Sequence, residues 1–196
     1  MEAPKALLDL AGRSVIAHVI DRLRALVSKT YLVVNEPDSY RFLGLPLVQD
    51  VEPFQGPLVG LYSGLKACRA PWVLVVACDT PFLEPGLLQL LLTGPRAGLI
   101  LLPVAEGEPQ PFPGLYSARC TGPIEELLKA GRKAMRDFIA ATPHSVMDEP
   151  EVRRLDPELR SFFSLNTRDD YRRAQQLLAT TKPRNAGSGH GGEDAP

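Results

Sequence analysis

The stretch that most constrains this chain runs from Trp72 to Pro81, Trp-Val-Leu-Val-Val-Ala-Cys-Asp-Thr-Pro. Apolar residues run unbroken, a carboxylate follows at Asp79, and Pro81 stops the strand. A continuous valine-rich run predicts a central strand covered on both faces, the habit of parallel sheets in α/β proteins. Asp79 then stands at the carboxyl end of that strand, the edge where open α/β sheets bind ligands. Two readings fit a carboxylate there: a divalent-metal ligand facing a phosphate, or a polar cap on a strand end.

The flanking sequence extends the pattern. Residues Ser14 to Val27 carry apolar positions at Val15, Ile16, Val19, Ile20, Leu23 and Leu26, the spacing of a helix with one buried face and Ser14 as its cap. Thr30–Asn35 and Leu45–Asp50 predict short strands, with a brief helix at Ser39–Leu43 between them. Gly56-Pro57-Leu58-Val59-Gly60 predicts a turn into a helix reaching Cys68. Helices follow at Pro85–Leu92, Pro123–Ala130, Ala134–Ala140 and Thr167–Leu178, with strands at Gly98–Val104, Leu115–Ser117, His144–Met147 and Phe162–Leu165. The proline-rich segment Glu108–Gly114 predicts a rigid loop at the mouth of a site. This alternation predicts an α/β fold with a mostly parallel sheet between two helical layers.

Length and composition exclude several classes. A chain of 196 residues with 44% hydrophobic content supports one well-buried domain. We place that domain at 1–180 and expect 181–196, rich in glycine and charge, to be a disordered tail in which His190 is solvated. A net charge of −1 gives no general attraction to nucleic acid or to an anionic membrane. No run approaches the roughly 20 apolar residues of a membrane span, and Asp9 and Arg13 interrupt any signal-like stretch, so a cytoplasmic location is expected. Cys68, Cys78 and Cys120 form neither a disulfide framework nor a zinc pattern, and Cys78 is expected to pack as a small buried residue.

Three strand candidates in a row end in a polar residue, Asn35, Asp50 and Asp79, which a parallel sheet brings to one edge. The Asn35 amide suits a base edge or a ribose hydroxyl, Asp50 accepts from base or sugar donors, and Asp79 suits Mg²⁺. Each also serves as a turn former. Lys5 reads either as a phosphate contact or as a solvated surface charge. Gly56 and Gly60 allow a close backbone approach at a helix start that favours anions, or simply make a tight turn.

These segments together carry a resemblance. Pro4-Lys5-Ala6-Leu7-Leu8, Val34-Asn35, the strand end at Asp50, Gly56-Pro57-Leu58-Val59-Gly60 and Cys78-Asp79-Thr80-Pro81 fall in the order of one family. Gln110-Pro111, Gly114-Leu115-Tyr116, Gly131-Arg132-Lys133 and Leu165-Asn166-Thr167 extend the match over residues 1 to 178. The chain resembles the molybdenum cofactor guanylyltransferases, within the Rossmann-like nucleotidyltransferases of three-layer α/β/α fold. The related cytidylyltransferases tend to carry glycine where Cys78 stands, which favours the guanylyl branch.

The resemblance implies transfer of GMP from GTP to molybdopterin with Mg²⁺ as cofactor, and contact with other proteins of that pathway or with molybdoenzymes. It implies that Asp79 holds the metal and that Lys5 contacts phosphates, both as catalytic groups. Asn35, Asp50, Gly56 and Pro57 would complete the nucleotide site. Gln110, Pro111, Arg132, Lys133 and Asn166 would line the acceptor side. The alternatives are a nucleotidyltransferase for another phosphorylated acceptor, or a non-catalytic relative that binds a cofactor or a partner.

Two departures bear on this. The family opens with a strand and a glycine-rich loop ending in Arg-Met-Gly, whereas Met1 here aligns with that methionine and Glu2 replaces the glycine. Two explanations compete: a start assigned too late, or a genuinely short chain, which would leave two sheet edges open; that cost favours the first, and the chain as given is expected to bind GTP poorly. Ser164 stands where the family usually has asparagine.

Overall fold

In a computed structural model the structure describes residues 4–50 and 56–181. Met1, Glu2 and the tail from residue 182, His190 included, lie outside the described residues. In chain order, a 3₁₀ turn at Lys5–Leu7 leads to β1 (Asp9–Leu10), β2 (Arg13–Ser14) and α1 (Val15–Arg24). Then come β3 (Leu32–Val33), a 3₁₀ turn at Pro37–Leu43, β4 (Leu47–Val48), α2 (Pro57–Ala67) and β5 (Trp72–Val75). Next are α3 (Pro85–Thr93), β6 (Ile100–Ala105), β7 (Glu108–Pro109), β8 (Gly114–Ser117), α4 (Thr121–Lys129) and α5 (Met135–Ala141). The chain closes with β9 (His144–Met147), α6 (Glu149–Leu155), a 3₁₀ turn at Arg160–Phe162 and α7 (Arg168–Thr181).

The main sheet has the order β5-β8-β6-β7, with β9 pairing β6. Strands β5 and β6 both pair antiparallel with β8, and β9 runs parallel to β6. So β5, β6 and β9 point the same way, as an α/β layer fold requires, and β7 and β8, which run against them, make the sheet mixed. The alternation in each strand separates two cores. Val73 and Val75 join Ile100, Leu102 and Tyr116 under α2, α4 and α5. Trp72 and Leu74 face the other way, with Leu101, Leu115 and Met147 under α3 and α6. This is why a run without polar residues fits β6, whose residues are nearly all buried.

Several expectations change. Strand β5 is not central among the described residues: it ends the five-stranded sheet, and its four residues are only half-buried. The interior positions belong to β8, which is fully buried, and to β6, which pairs with β7, β8 and β9. Strands β3 and β4 form a separate parallel pair, so the edges of β3 and β5 that do not face β4 and β8 have no ladder among the described residues. Open edges of this kind leave backbone groups unpaired, a cost that proteins usually manage by covering them. Helix α2 spans the two sheets, packing Leu58, Leu61 and Leu65 on the larger one and touching β3 and β4 as well.

Phe162–Leu165 is not a strand; a 3₁₀ turn ends at Phe162 and irregular chain follows. The turn is favoured because the buried Asp156 accepts from the Arg160 and Ser161 amides at 2.9 and 2.7 Å, bonds that a ladder would have to replace. Cys78 is exposed rather than buried, because the chain leaves the sheet after Val75 and turns over its edge. Ser14 precedes α1 without a side-chain capping bond. Thr167 does cap α7, accepting from the Asp170 amide at 3.1 Å while Asp170 accepts from the Thr167 amide at 2.8 Å. Helix α6 was not expected from periodicity. Its signal is Asp148 with Glu151 three residues on, a capping pattern in which Asp148 accepts from the Glu151 amide at 2.9 Å.

Candidate active site

Strand direction gathers the predicted polar residues on one edge. Asp79 follows the carboxyl end of β5, and Ala105 ends β6 on that same edge. Asn35 and Asp50 each stand two residues past paired positions, Val33 and Val48, so the parallel register brings them level at the end of the smaller sheet. Tyr40 is a buried residue near both groups, and its hydroxyl ionisation is pushed up by burial first and then by Cys78 and Glu36. Tyr40 thus sits within electrostatic reach of the strand ends on both sides, and sequence reasoning gave it no role.

Asp79 is half-buried, and the chain around it is tied to the start of α7. The Leu165 amide donates to the Asp79 carbonyl at 3.1 Å. One residue on, the Asn166 side chain accepts from Lys5 Nζ at 3.2 Å and donates to Ser164 Oγ at 2.7 Å. Phe82 and Phe163 pack at 5.9 Å between ring centroids and hold these two segments together. Lys5, Asn166, Ser164 and Asp79 therefore form one cluster from three distant parts of the chain. Burial pushes the Asp79 carboxyl above the ordinary carboxylate value; a backbone amide and the Lys5 charge pull it partly back. Such a carboxylate gains from a further positive charge.

Asp50 has a different setting. Burial raises its carboxyl, and the Ser63 hydroxyl opposes this by donating to Oδ1 at 3.2 Å. Ser63 lies on the second turn of α2, so helix and strand end are linked through this bond. At the start of α2, Gly56 has φ +139°, a conformation that side-chain-bearing residues avoid, and Pro57 takes the first helical position. Among the described residues no side chain caps this start. Asn35 is exposed at its strand end.

The remaining expected residues are more dispersed. Gln110 donates through its side-chain amide to the Ala105 and Glu108 carbonyls at 3.1 and 3.3 Å, which closes the β6–β7 hairpin and leaves Oε1 as an acceptor. The Pro111 carbonyl accepts from the Tyr116 hydroxyl at 2.6 Å, so its visible role is to brace β8. Arg132 pairs with Asp137 at 3.3 Å in the turn between α4 and α5, and Lys133 follows it there. That helical pair starts just after β8 and ends just before β9, both at the opposite edge, so its turn points back toward the Asp79 edge.

Among the described residues no group of three or more His, Cys, Asp or Glu side chains forms a metal cage. Beside Asp79 stand the Asn166 amide, the Ser164 hydroxyl and the Lys5 amine, with the Cys78 thiol one residue before it. A single carboxylate with such neighbours fits a hard cation that keeps several waters and shares substrate phosphates. No helix of the described residues is long and apolar enough to cross a membrane.

Residues 1–146 match the family model of the MobA-like NTP transferase domain, and the chain belongs to that family. It is 33% identical over 174 residues to a probable molybdenum cofactor guanylyltransferase of Chloroflexus aggregans, covering 87% of this chain and 83% of that one. It is 29% identical over 175 residues to the molybdenum cofactor guanylyltransferase of Desulfosudis oleivorans, covering 89% and 87%. Among solved structures, molybdopterin-guanine dinucleotide biosynthesis protein A of Archaeoglobus fulgidus superposes with a TM-score of 0.76 at 22% identity, over 90% of this chain and 91% of that one. The 2-C-methyl-D-erythritol 4-phosphate cytidylyltransferase of Thermus thermophilus gives 0.64 at 18%, over 90% and 94%. Both likenesses are of fold. The α/β nucleotidyltransferase fold and membership of a transferase family are thereby established.

Proposed function

We propose that this nucleotidyltransferase transfers GMP from GTP to molybdopterin, releasing pyrophosphate and giving the guanine dinucleotide form of the cofactor. The observation that carries the reading is the cluster of Asp79, Lys5 and Asn166 on the strand-end edge, in a chain whose relatives bear the guanylyltransferase name. A phosphate oxygen of the acceptor attacks the α-phosphorus of GTP. One P–O bond forms there, the bond to the bridging oxygen breaks, and the electron pair leaves with pyrophosphate. The protein does little covalent work in such a step; it positions the reactants and balances charge.

Asp79 would hold Mg²⁺, which when bound neutralises charge on the triphosphate. Lys5, freed from Asn166, donates to phosphate oxygens. Asn166 and Ser164 orient around the same group. Asp50, steadied by Ser63, accepts from donors of the guanine edge or ribose, and Asn35 offers both a donor and an acceptor beside it. The start of α2, opened by Gly56 and Pro57, offers backbone amides to nucleotide oxygens. Gln110, Pro111, Arg132 and Lys133 stand on the acceptor side of the edge. A cytoplasmic setting and contact with pathway partners or molybdoenzymes accord with this chemistry.

The test is pyrophosphate release with molybdopterin as acceptor and either GTP or CTP as donor. The expected result is release with GTP that exceeds release with CTP by at least an order of magnitude, since a site built to pair with one base edge rejects another strongly. Equal rates would refute the guanylyl assignment. Saturable GTP binding with no release would refute the enzymatic one.

A further inference from the structure

The sheet edge opposite Asp79, where β5, β6 and β9 begin and β8 ends, is one continuous ledge of backbone. The Ala118 amide donates to the Pro71 carbonyl at 3.0 Å, the Ser117 amide to the Leu99 carbonyl at 2.8 Å, and the Leu99 amide to the Pro143 carbonyl at 2.7 Å. The start of β3 joins this ledge, since Lys29 lies within electrostatic reach of Cys68 in the connection to β5. Lys29, Lys66, Arg69, Arg96 and Arg119 stand along it, all exposed. Residues 25–31, 66–72, 94–99, 117–121 and 140–144, which make the connections there, contain no Asp or Glu. The carboxylates Glu36, Asp50, Asp79, Glu106 and Asp148 follow the strand ends at the other edge. A chain of net charge −1 is thus polarised across its sheet.

Among the described residues none of these cations forms a salt bridge. Glu125 is in electrostatic reach of Lys66, but it is bridged to Lys129 at 2.8 Å. Three of the cations are held over rings instead. Lys29 Nζ lies 4.7 Å from the Tyr31 centroid, Lys66 Nζ 5.1 Å from that of Tyr62, and the Arg96 guanidinium 5.1 Å from that of Trp72. Helix dipoles account for Lys66 alone, in the last turn of α2. Lys29, Arg69 and Arg96 lie past the helix ends, where that effect has faded, and Arg119 precedes the start of α4, where the dipole opposes a cation. Gathering like charges in this way costs self-repulsion that nothing within the ledge offsets.

We infer that this edge is a docking face for a protein partner that presents a row of carboxylates along a helix. The inference is independent of the proposed reaction and leaves the Asp79 edge open while the partner is bound. Spacing favours a helix. Arg69, Arg119 and Arg96 belong to the ends of the adjacent strands β5, β8 and β6, which step by about 5 Å. Side chains three or four residues apart on a helix stand about 5–6 Å apart. Guanidinium groups suit carboxylates, which they can grip with two parallel hydrogen bonds. A single-stranded nucleic acid would want rings free to stack on its bases, whereas Tyr31, Tyr62 and Trp72 are covered by the cations themselves. A membrane surface would want apolar side chains to insert, and the exposed large ones, Phe42, Val146 and Leu155, lie outside these connections.

The experiment titrates a fluorescent alanine-based helical peptide, with glutamates at every fourth position, with the full chain and follows anisotropy. A control peptide has the same composition and helicity, with its glutamates spread around the helix. We expect saturable binding of the first peptide, weaker binding of the control, and loss of both as rising salt screens the charges. The double variant Arg69→Glu, Arg119→Glu should weaken binding at least tenfold. Both side chains are exposed, so its melting temperature and its pyrophosphate release from GTP should match those of the parent. Absence of saturable binding, equal binding of the control peptide, or binding unmoved by the double variant would overturn the inference. So would tighter retention by duplex DNA or by phosphatidylserine vesicles than by the peptide.

Discussion

Replacing Asp79 by asparagine removes one charge and almost no volume, and its effects on activity and on stability should have opposite signs. Burial raises the Asp79 carboxyl above its ordinary value, against the smaller pull of a backbone amide and Lys5. An acid whose pKa is raised by folding binds its proton more tightly in the folded state. Below the unfolded value, near 4, both states are protonated and the residue costs nothing. As pH rises from there through the raised folded value, the unfolded chain ionises first, and folding loses stability over that window. Asp79→Asn is therefore expected to match the parent protein in acid and to melt higher at neutral pH. Activity should move the other way. Loss of one group that stabilises transition-state charge costs about 10² to 10³ in kcat, or about 3–4 kcal/mol.

Mg²⁺ provides a third readout that does not depend on turnover. At about ten times its dissociation constant, a ligand of the folded state adds RT ln 11, about 1.4 kcal/mol. In a domain of this size that raises Tm by about 3–5 °C. The parent protein with GTP should show this rise and Asp79→Asn should not. The assay is a thermal melt from pH 4 to 8, with and without Mg²⁺ and GTP, beside pyrophosphate release. Full activity in Asp79→Asn, or an equal Mg²⁺-dependent rise in both proteins, would refute the metal assignment. A lower melting point for Asp79→Asn at neutral pH would refute the burial argument.

Two further substitutions test how the edge is built. In Gly114→Ala the new Cβ would lie 2.7 Å from the Pro111 carbonyl and 2.9 Å from the Tyr116 ring. Overpacking of this kind costs about 1–3 kcal/mol, so thermal denaturation should fall by several degrees, and an unchanged Tm would mean the 111–114 turn yields freely. Asp156→Ala removes the acceptor of two amides in the 3₁₀ turn after α6, Arg160 and Ser161. Unsatisfied buried groups cost about 1–3 kcal/mol each, and chemical denaturation should show at least the lower figure.

What the sequence made legible follows from how each feature is encoded. The strand-end residues Asn35, Asp50 and Asp79 could be found because a run of apolar residues terminates abruptly at each, and strand direction then brings the ends together without further information. Helices α1, α2, α3 and α7 could be found because their buried faces repeat at helical spacing. The position of a strand within the sheet is a different kind of property. The run at Trp72 reads as central, yet β8 and β6 take the interior among the described residues and β5 the end. Apolar content reports how much a strand could bury, not which neighbours it has.

The rest of the strand-end edge was hardest to read for a related reason. Its features depend on contacts between residues far apart in the chain. Lys5 meets Asn166 across a separation of 161 residues, and a cavity of about 430 Å³ joins a hairpin near 106 to a helix near 173. Nothing local marks Arg173 or Arg160 among the arginines, since one is set apart by the Phe163 ring that it covers and the other by the cavity that it walls. Even residues that a resemblance assigns to one role separate once placed. Gln110 reaches the cavity, Pro111 braces Tyr116, and Arg132 is engaged by Asp137 in another turn. The strand-end cluster is written in local sequence, and the cavity in tertiary contacts.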